Sequence, residues 1–364
     1  MGASRGRPRL ASDVFDLPVE RIRAGYYSDA YFNHAKELLE RTGRHPRVVV
    51  QVFQKHDSVL GGIDEAIAVL RECSGHASGP DWLGGWDQLE VRALHEGDAI
   101  SPSETVMTIA GDYSAFAHLE TVFLGCLARR SLVMRNAREA VAAAAGKPIV
   151  FFAARHDHFL AQPGDGWAAH AGGVAGVSTD AQGSWWGGRG IGTVPHGLIA
   201  AFGGDTVAAA RAFADHFAGR MPITVLVDFE NDSVETALRV ADALGPRLWG
   251  VRLDTSEQLV DLAVQREYGA TAEKGVTPEL VRLVRGALDR RGHDQIRIVV
   301  SGGFDIRRIR EFEKAGVPVD AYGVGSSLLR GRNDFTADVV IVDGRPCAKV
   351  GREYRPNPRL DDVL

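Results

Sequence analysis

The chain has 364 residues, 42 of them Gly and 15 Pro, with 45% in the hydrophobic class. At roughly 100–200 residues per domain this length predicts two domains. A formal net charge of −5, from 42 basic and 47 acidic side chains, speaks against nucleic acid as a partner. Six of the basic residues are Lys and 36 are Arg. That bias fits a GC-rich genome, and it also supplies forked donors suited to phosphate and carboxylate. Three scattered cysteines (Cys73, Cys126, Cys347) with no CxxC predict a reducing, cytoplasmic setting. No apolar run reaches the roughly 18 residues of a membrane span, and residues 1–15 hold no apolar signal core. Gly6 stands where a myristoylation signal wants Ser or Thr, so residues 1–12, with Arg5, Arg7 and Arg9, read as a short solvated tail.

In chain order, residues 13 to about 115 mix helices at 30–41 and 63–72, an apolar strand at 48–53 and a polar-apolar alternation at 88–94. Residues 115–145 read as a long helical lead-in to the second half. Seven β-branched runs then follow, at 148–152, 173–178, 192–196, 223–228, 248–254, 296–301 and 319–323. Amphipathic helices are expected between them at 205–217, 234–244, 277–290 and 306–315. Continuous apolar strands alternating with helices predict a parallel sheet buried on both faces. No GxGxxG follows the first run, which disfavours a dinucleotide fold and favours an α/β barrel with one place fewer than eight. Residues 337–349 alternate again and are expected to return to the first domain.

Barrel active sites lie at the carboxyl ends of the strands, so polar residues there are the candidates. They are Arg155, His156 and His158; Ser178, Thr179 and Asp180; His196; Asp228 and Glu230; Arg252 and Asp254; Ser301 to Gly303; and Gly323, Gly325 and Ser326. The Ser301-Gly302-Gly303 and Gly323-Val324-Gly325-Ser326 turns close the last two strands, the usual phosphate-binding place of barrels; ordinary strand-helix turns are the alternative. Arg252 and Asp254, two apart on one strand, face the same way and form either an ion pair or part of a site. Asp228, Glu230 and Asp254 are oxygen donors that could hold Mg²⁺ or the hydroxyls of a sugar. His156, His158 and His170 invite a zinc reading, but a helix-start pair without metal fits better. There is no GxSxG, no Walker A sequence and no Lys at a strand's carboxyl end, which argues against serine-hydrolase, P-loop and Schiff-base chemistry.

Several segments together resemble the nicotinate phosphoribosyltransferase family, most of all its short archaeal-type branch, with quinolinate phosphoribosyltransferase as a cousin. They are Tyr26-Tyr27-Ser28-Asp29-Ala30-Tyr31-Phe32, Leu119-Glu120-Thr121, Gly192-Thr193-Val194-Pro195-His196-Gly197, Val251-Arg252-Leu253-Asp254 and the two glycine turns. They run in order along about residues 20–350. The resemblance implies a type II phosphoribosyltransferase of the α/β class: an N-terminal α/β sandwich (13–115, with a C-terminal return at 335–364) followed by an incomplete seven-stranded α/β barrel (116–334). It implies joining nicotinate to 5-phosphoribosyl 1-pyrophosphate (PRPP) in NAD biosynthesis, with Mg²⁺ as cofactor and ATP as co-substrate through a phosphorylated histidine. His196 occupies that position, with Asp228 or Glu230 as orienting carboxylates. By the same resemblance Arg155 faces the nicotinate carboxylate, and Ser178 and Thr179 lie in the neighbouring turn. Arg252 and Asp254 address ribose and diphosphate, and Ser301, Gly302, Gly303, Gly323, Gly325 and Ser326 cradle the 5-phosphate. It implies a homodimer or larger homo-oligomer in which Tyr27, Tyr31, Arg135 and Arg138 reach the partner's site.

Three departures stand out. His156 replaces a frequent second Arg, Thr255-Ser256-Glu257 replaces a common Ser-Gly-Asp, and a cysteine-rich C-terminal knuckle is absent. Quinolinate or nicotinamide transfer, or binding of PRPP without turnover, are the competing expectations.

Overall fold

The computed structural model describes residues 8–363 and separates into two compact units. One comprises Met1–Arg135, Pro163–Gly172 and Gly331–Leu364; the other comprises Asn136–Gln162 and Gly173–Arg330. The division falls inside a 24-residue helix, Glu120–Ala143. No helix among the described residues is long and apolar enough to cross a membrane.

The first unit is built on an antiparallel sheet. Its order is Arg345–Pro346, Thr336–Val342, Arg47–Phe53, Thr105–Asp112, Glu90–Ala93, Asp361–Asp362. Val48, Val50 and Val52 sit at two-residue spacing and are buried, as one face of a pleated strand requires. They join Ile63, Ile67 and Leu70, a helical face of Ile63–Cys73, in a single core. The return strand Thr336–Val342 pairs along almost the whole of Arg47–Phe53, so the expected return at 337–349 is present. The expected solvated tail is only partly so. Arg9 donates to Asp64 Oδ1 at 2.8 Å and to the carbonyl of Leu94 at 3.0 Å, and the Leu10 amide donates to Asp64 Oδ2 at 3.0 Å. Gly6, Arg5 and Arg7, on which the rest of that reading fell, lie outside the described residues.

The second unit is a curled parallel sheet. Its order is Ile223–Leu226, Leu248–Leu253, Arg297–Val300, Ala321–Val324, Ile149–Phe151, Gly176–Val177. The first and fourth of these are buried at every position, consistent with cover on both faces. The seventh place is occupied differently from expectation. Residues 192–196 form no strand; instead Gly190 bridges Val177 and Val194 bridges Val225, one contact to each edge of the sheet. Pro195 removes a ladder donor there, and the glycines at 190 and 192 leave little side chain to pack. Several helix starts are fixed by a side chain accepting from the first turn: Asp205 from Ala208 N, Thr277 from Leu280 N and Asp305 from Arg308 N.

Candidate active site

A cavity of about 580 Å³ opens at the carboxyl ends of the parallel strands. It is lined by Arg155, His156, Ser178, His196, Arg252, Asp254, Ser301, Gly302, Gly303, Gly323, Gly325 and Ser326. Most of the expected site residues therefore converge on one wall-to-wall space.

His196 is the first residue of the short helix His196–Ala201, directly after the Val194 bridge. Its Nε2 lies 3.0 and 3.1 Å from the two carboxylate oxygens of Asp228, whose side chain is only 8% exposed. A carboxylate accepts only, so Nε2 carries the hydrogen and Nδ1 keeps the lone pair in the neutral ring. The hydrogen bond to Asp228 raises the pKa of His196, opposed by partial burial and assisted by the charges of Asp228 and Asp254.

Arg252 lies over the ring of Phe152, 5.3 Å from its centroid, and 3.8 Å from Asp254 Oδ2. Burial lowers its pKa, opposed by the carboxylates of Asp254 and Asp228, and its Nε is buried without a hydrogen-bond partner. Asp254 is held in turn by the Ser301 hydroxyl at 2.7 Å. Gly302 has φ +82° and Gly303 φ +72°, and a Cβ at Gly302 would stand 3.3 Å from Asp254 Oδ1. A Cβ at Gly325 would stand 2.9 Å from the His156 ring. Both turns thus need glycine and leave backbone amides approachable by an anion. Arg155 lines the same space and has no acidic partner among the described residues.

Several other expected residues do not line this space. Glu230 turns away to pair with Arg239 at 2.5 Å, and Asp228 is engaged by His196. Asp228, Glu230 and Asp254 therefore do not converge, and these residues do not fit a magnesium ion held by three protein carboxylates. Thr179 does not line the cavity: its hydroxyl donates to Gln162 Oε1 at 2.8 Å and accepts from the Gln182 amide at 3.1 Å. His158 accepts from the Leu160 amide at 3.3 Å, capping a short turn. Tyr27 and Tyr31 are 42% and 62% exposed, and the Tyr31 hydroxyl donates to Asp29 at 3.2 Å. Arg135 and Arg138 are half-buried on the long helix and are not among the lining residues.

Sequence reasoning missed Phe152, Arg330 and Arg308. Phe152 and Arg330 line the cavity. Arg308 donates to the Gly302 carbonyl at 3.0 Å and packs over Phe304, 4.6 Å from its centroid, bracing the first glycine turn from behind. Only Arg330 carried a signal, four residues beyond Ser326.

Comparison with known proteins agrees with this architecture. Residues 29–131 match the profile of the quinolinate phosphoribosyl transferase N-terminal domain. The crystal structure of nicotinate-nucleotide pyrophosphorylase from Pyrococcus furiosus is 32% identical, with a TM-score of 0.78 over 95% of this chain and 85% of that one. Nicotinate phosphoribosyltransferase pncB1 of Mycobacterium tuberculosis is 32% identical over 278 residues, 74% of this chain and 57% of that protein. The chain thus spans little more than half the length of the curated relatives it matches. Human nicotinic acid phosphoribosyltransferase, 18% identical, shares the fold with a TM-score of 0.64 over 88% of this chain and 76% of that one. The fold is that of the type II phosphoribosyltransferases. Within that class, the chain belongs to the nicotinate phosphoribosyltransferase family.

Proposed function

We propose that this protein joins nicotinate to PRPP, giving nicotinate mononucleotide and pyrophosphate in NAD salvage, with ATP hydrolysis coupled through His196. The observation that carries this reading is the His196–Asp228 pair, at 3.0 Å, on the rim that also holds Arg252, Asp254 and the two glycine turns. The pyridine nitrogen forms a bond to the anomeric carbon of PRPP as the pyrophosphate oxygen leaves, through an oxocarbenium-like state. The protein's work is then positioning and charge balance. Gly302, Gly303, Gly323, Gly325, Ser301 and Ser326 are assigned to the 5-phosphate, Asp254 to ribose hydroxyls and Arg252 to the diphosphate. Arg155 and His156 are assigned to the nicotinate carboxylate and Ser178 to the same wall; bidentate Arg pairing gives orientation as well as charge. His196 Nδ1 takes the γ-phosphoryl group of ATP, ADP leaves, and hydrolysis of the phosphohistidine follows. No step is assigned to a magnesium ion held by the protein. The exposed Tyr27 and Tyr31, with Arg135 and Arg138, are assigned to the site of a second subunit.

Incubating the protein with PRPP, Mg²⁺ and each of nicotinate, quinolinate and nicotinamide, with and without ATP, tests the reading. Nicotinate should yield mononucleotide and ATP should stimulate it. Product from quinolinate alone, with carbon dioxide, would overturn the choice of base, and no product from any base would indicate binding without turnover. His196→Ala should abolish ATP stimulation while leaving PRPP binding largely intact; undiminished stimulation would exclude the phosphohistidine.

A further inference from the structure

A second cluster, in the first unit and far along the chain from the residues above, has the chemistry of a metal site. His45 precedes the strand Arg47–Phe53, His76 lies in the strand Gly75–Ser78, and Asp112 ends Thr105–Asp112. One ligand atom from each lies within 4.8 Å of the others, the only such His/Cys/Asp/Glu group among the described residues.

The hydrogen bonding around the cluster fixes which atoms are free. The Lys36 ammonium donates to the Gly75 carbonyl at 2.8 Å, the Ser114 carbonyl at 2.8 Å and Glu40 Oε1 at 2.9 Å. Its three N–H groups are thereby used, so its 3.5 Å approach to His76 Nδ1 is no donation. His76 Nδ1 therefore carries the hydrogen itself and donates to Glu40 Oε1 at 2.8 Å. In the neutral ring Nε2 is left with a lone pair, and it faces Asp112 Oδ2 across 3.7 Å. Two acceptors facing each other call for a cation between them. Asp112 Oδ1 is occupied by the Ser114 amide at 2.9 Å and hydroxyl at 2.6 Å, which leaves Oδ2 for the two imidazoles. His45 Nδ1 is 2.8 Å from that same oxygen and 3.2 Å from the Ser114 hydroxyl. There it carries the hydrogen and donates to Asp112, and to ligate a metal the ring takes its other tautomer, with the hydrogen on Nε2. Ligand atoms of a tetrahedral zinc ion stand about 3.3 Å apart at Zn–N and Zn–O lengths near 2.0–2.1 Å, and the observed 2.8 and 3.7 Å straddle that value.

We propose that His45 Nδ1, His76 Nε2 and Asp112 Oδ2 bind a divalent transition-metal ion of the zinc type, with Glu40 orienting His76 from behind. A carboxylate on the far nitrogen of a ligating histidine is the common outer partner of such sites, fixing the tautomer and raising basicity. The two imidazoles select this class of ion over magnesium or calcium. The His45 side chain is 53% exposed, so the cluster lies at the surface, open to an ion from solvent. Its effect is a clip joining the chain segments that end or begin at Arg47–Phe53, Gly75–Ser78 and Thr105–Asp112.

The test is calorimetric titration of ZnCl₂ into the chelator-stripped full chain, with thermal unfolding read alongside. One zinc per chain and a raised melting temperature are expected. His76→Ala and Asp112→Asn should lose saturable binding, and Glu40→Gln should weaken it by about 10–100-fold. His45 is half-exposed, so His45→Ala, its fold checked by circular dichroism, keeps the test valid if the other variants fail to fold. Zinc binding of equal affinity and stoichiometry in the native chain and His45→Ala, or no saturable binding in the native chain, would overturn the proposal.

Discussion

Asp228 does two things to His196: it fixes the hydrogen on Nε2 and stabilises the protonated ring. For the phosphoryl transfer proposed above these have opposite consequences, because only the neutral ring offers the Nδ1 lone pair. The acceptor is absent below the raised pKa of His196 and forms as pH climbs through it. Asp228→Asn keeps a hydrogen-bond acceptor but removes the charge, so the pKa of His196 falls. The acid limb of the ATP-coupled rate should move to lower pH, with the plateau reduced by roughly 10²-fold as orientation and charge support are lost. A pH–rate profile checks this; an unmoved acid limb would mean that another group titrates. At this scale the sequence was informative about residue type at strand ends and silent about direction. Asp228 and Glu230 are two apart, yet one reaches His196 and the other Arg239, because the strand has ended at Leu226 and the period of two no longer applies. Arg308 was illegible because its guanidinium acts at the far end of a long side chain, on a carbonyl six residues back.

Among the elements, helices and fully buried strands were the most legible, since apolar periodicity reports burial directly. The helix expected at 30–41 is Ala30–Arg41, and the strand at 48–53 is Arg47–Phe53. The failure at 192–196 has a physical reason: β-branched residues suggested a strand, but pairing needs donors that Pro195 lacks. The short helix Gln162–Ala171, anticipated only as a helix start near His156 and His158, carries Pro163, Gly164 and Gly166, which obscure it in the sequence. It is held by Asp165, which is 5% exposed and bonded by Arg129 at 2.7 and 3.0 Å and by Arg130 at 3.1 Å, with Arg130 also bonded to Glu65 at 2.9 Å. Gly164 is required beside it, since a Cβ there would lie 2.0 Å from Arg130 Cζ. Asp165→Asn leaves two largely buried guanidiniums short of charge. Urea unfolding should show a loss of about 3 kcal/mol, the lower end for a broken buried pair because Arg129 retains some water contact. A loss under about 0.5 kcal/mol, the range of ordinary surface changes, would mean water replaces the carboxylate.

For the whole molecule, the two units differ in how they use the chain. The barrel sheet draws its strands from residues 149–324, while the antiparallel sheet places Thr336–Val342 and Asp361–Asp362 among strands from the first 112 residues. Deleting residues 336–364 would bare the edge of Arg47–Phe53 and open the core lined by Val48, Val50 and Val52. Such an apolar edge is a template for intermolecular pairing. The shortened chain should therefore aggregate on size-exclusion chromatography; a soluble monomer with native circular dichroism would show that the return strand is dispensable.

That interleaving also sets a clock. The Arg47 amide donates to Asp343, 296 residues further along. At about 5–20 residues per second of synthesis, a ribosome takes roughly 15–60 s to cover that span. Throughout that interval the strand at 47–53 lacks its neighbour Thr336–Val342, while every strand of the barrel is delivered. The first sheet to be started is the last to be completed, and the half-made edge is the point at which a nascent-chain chaperone has something to hold.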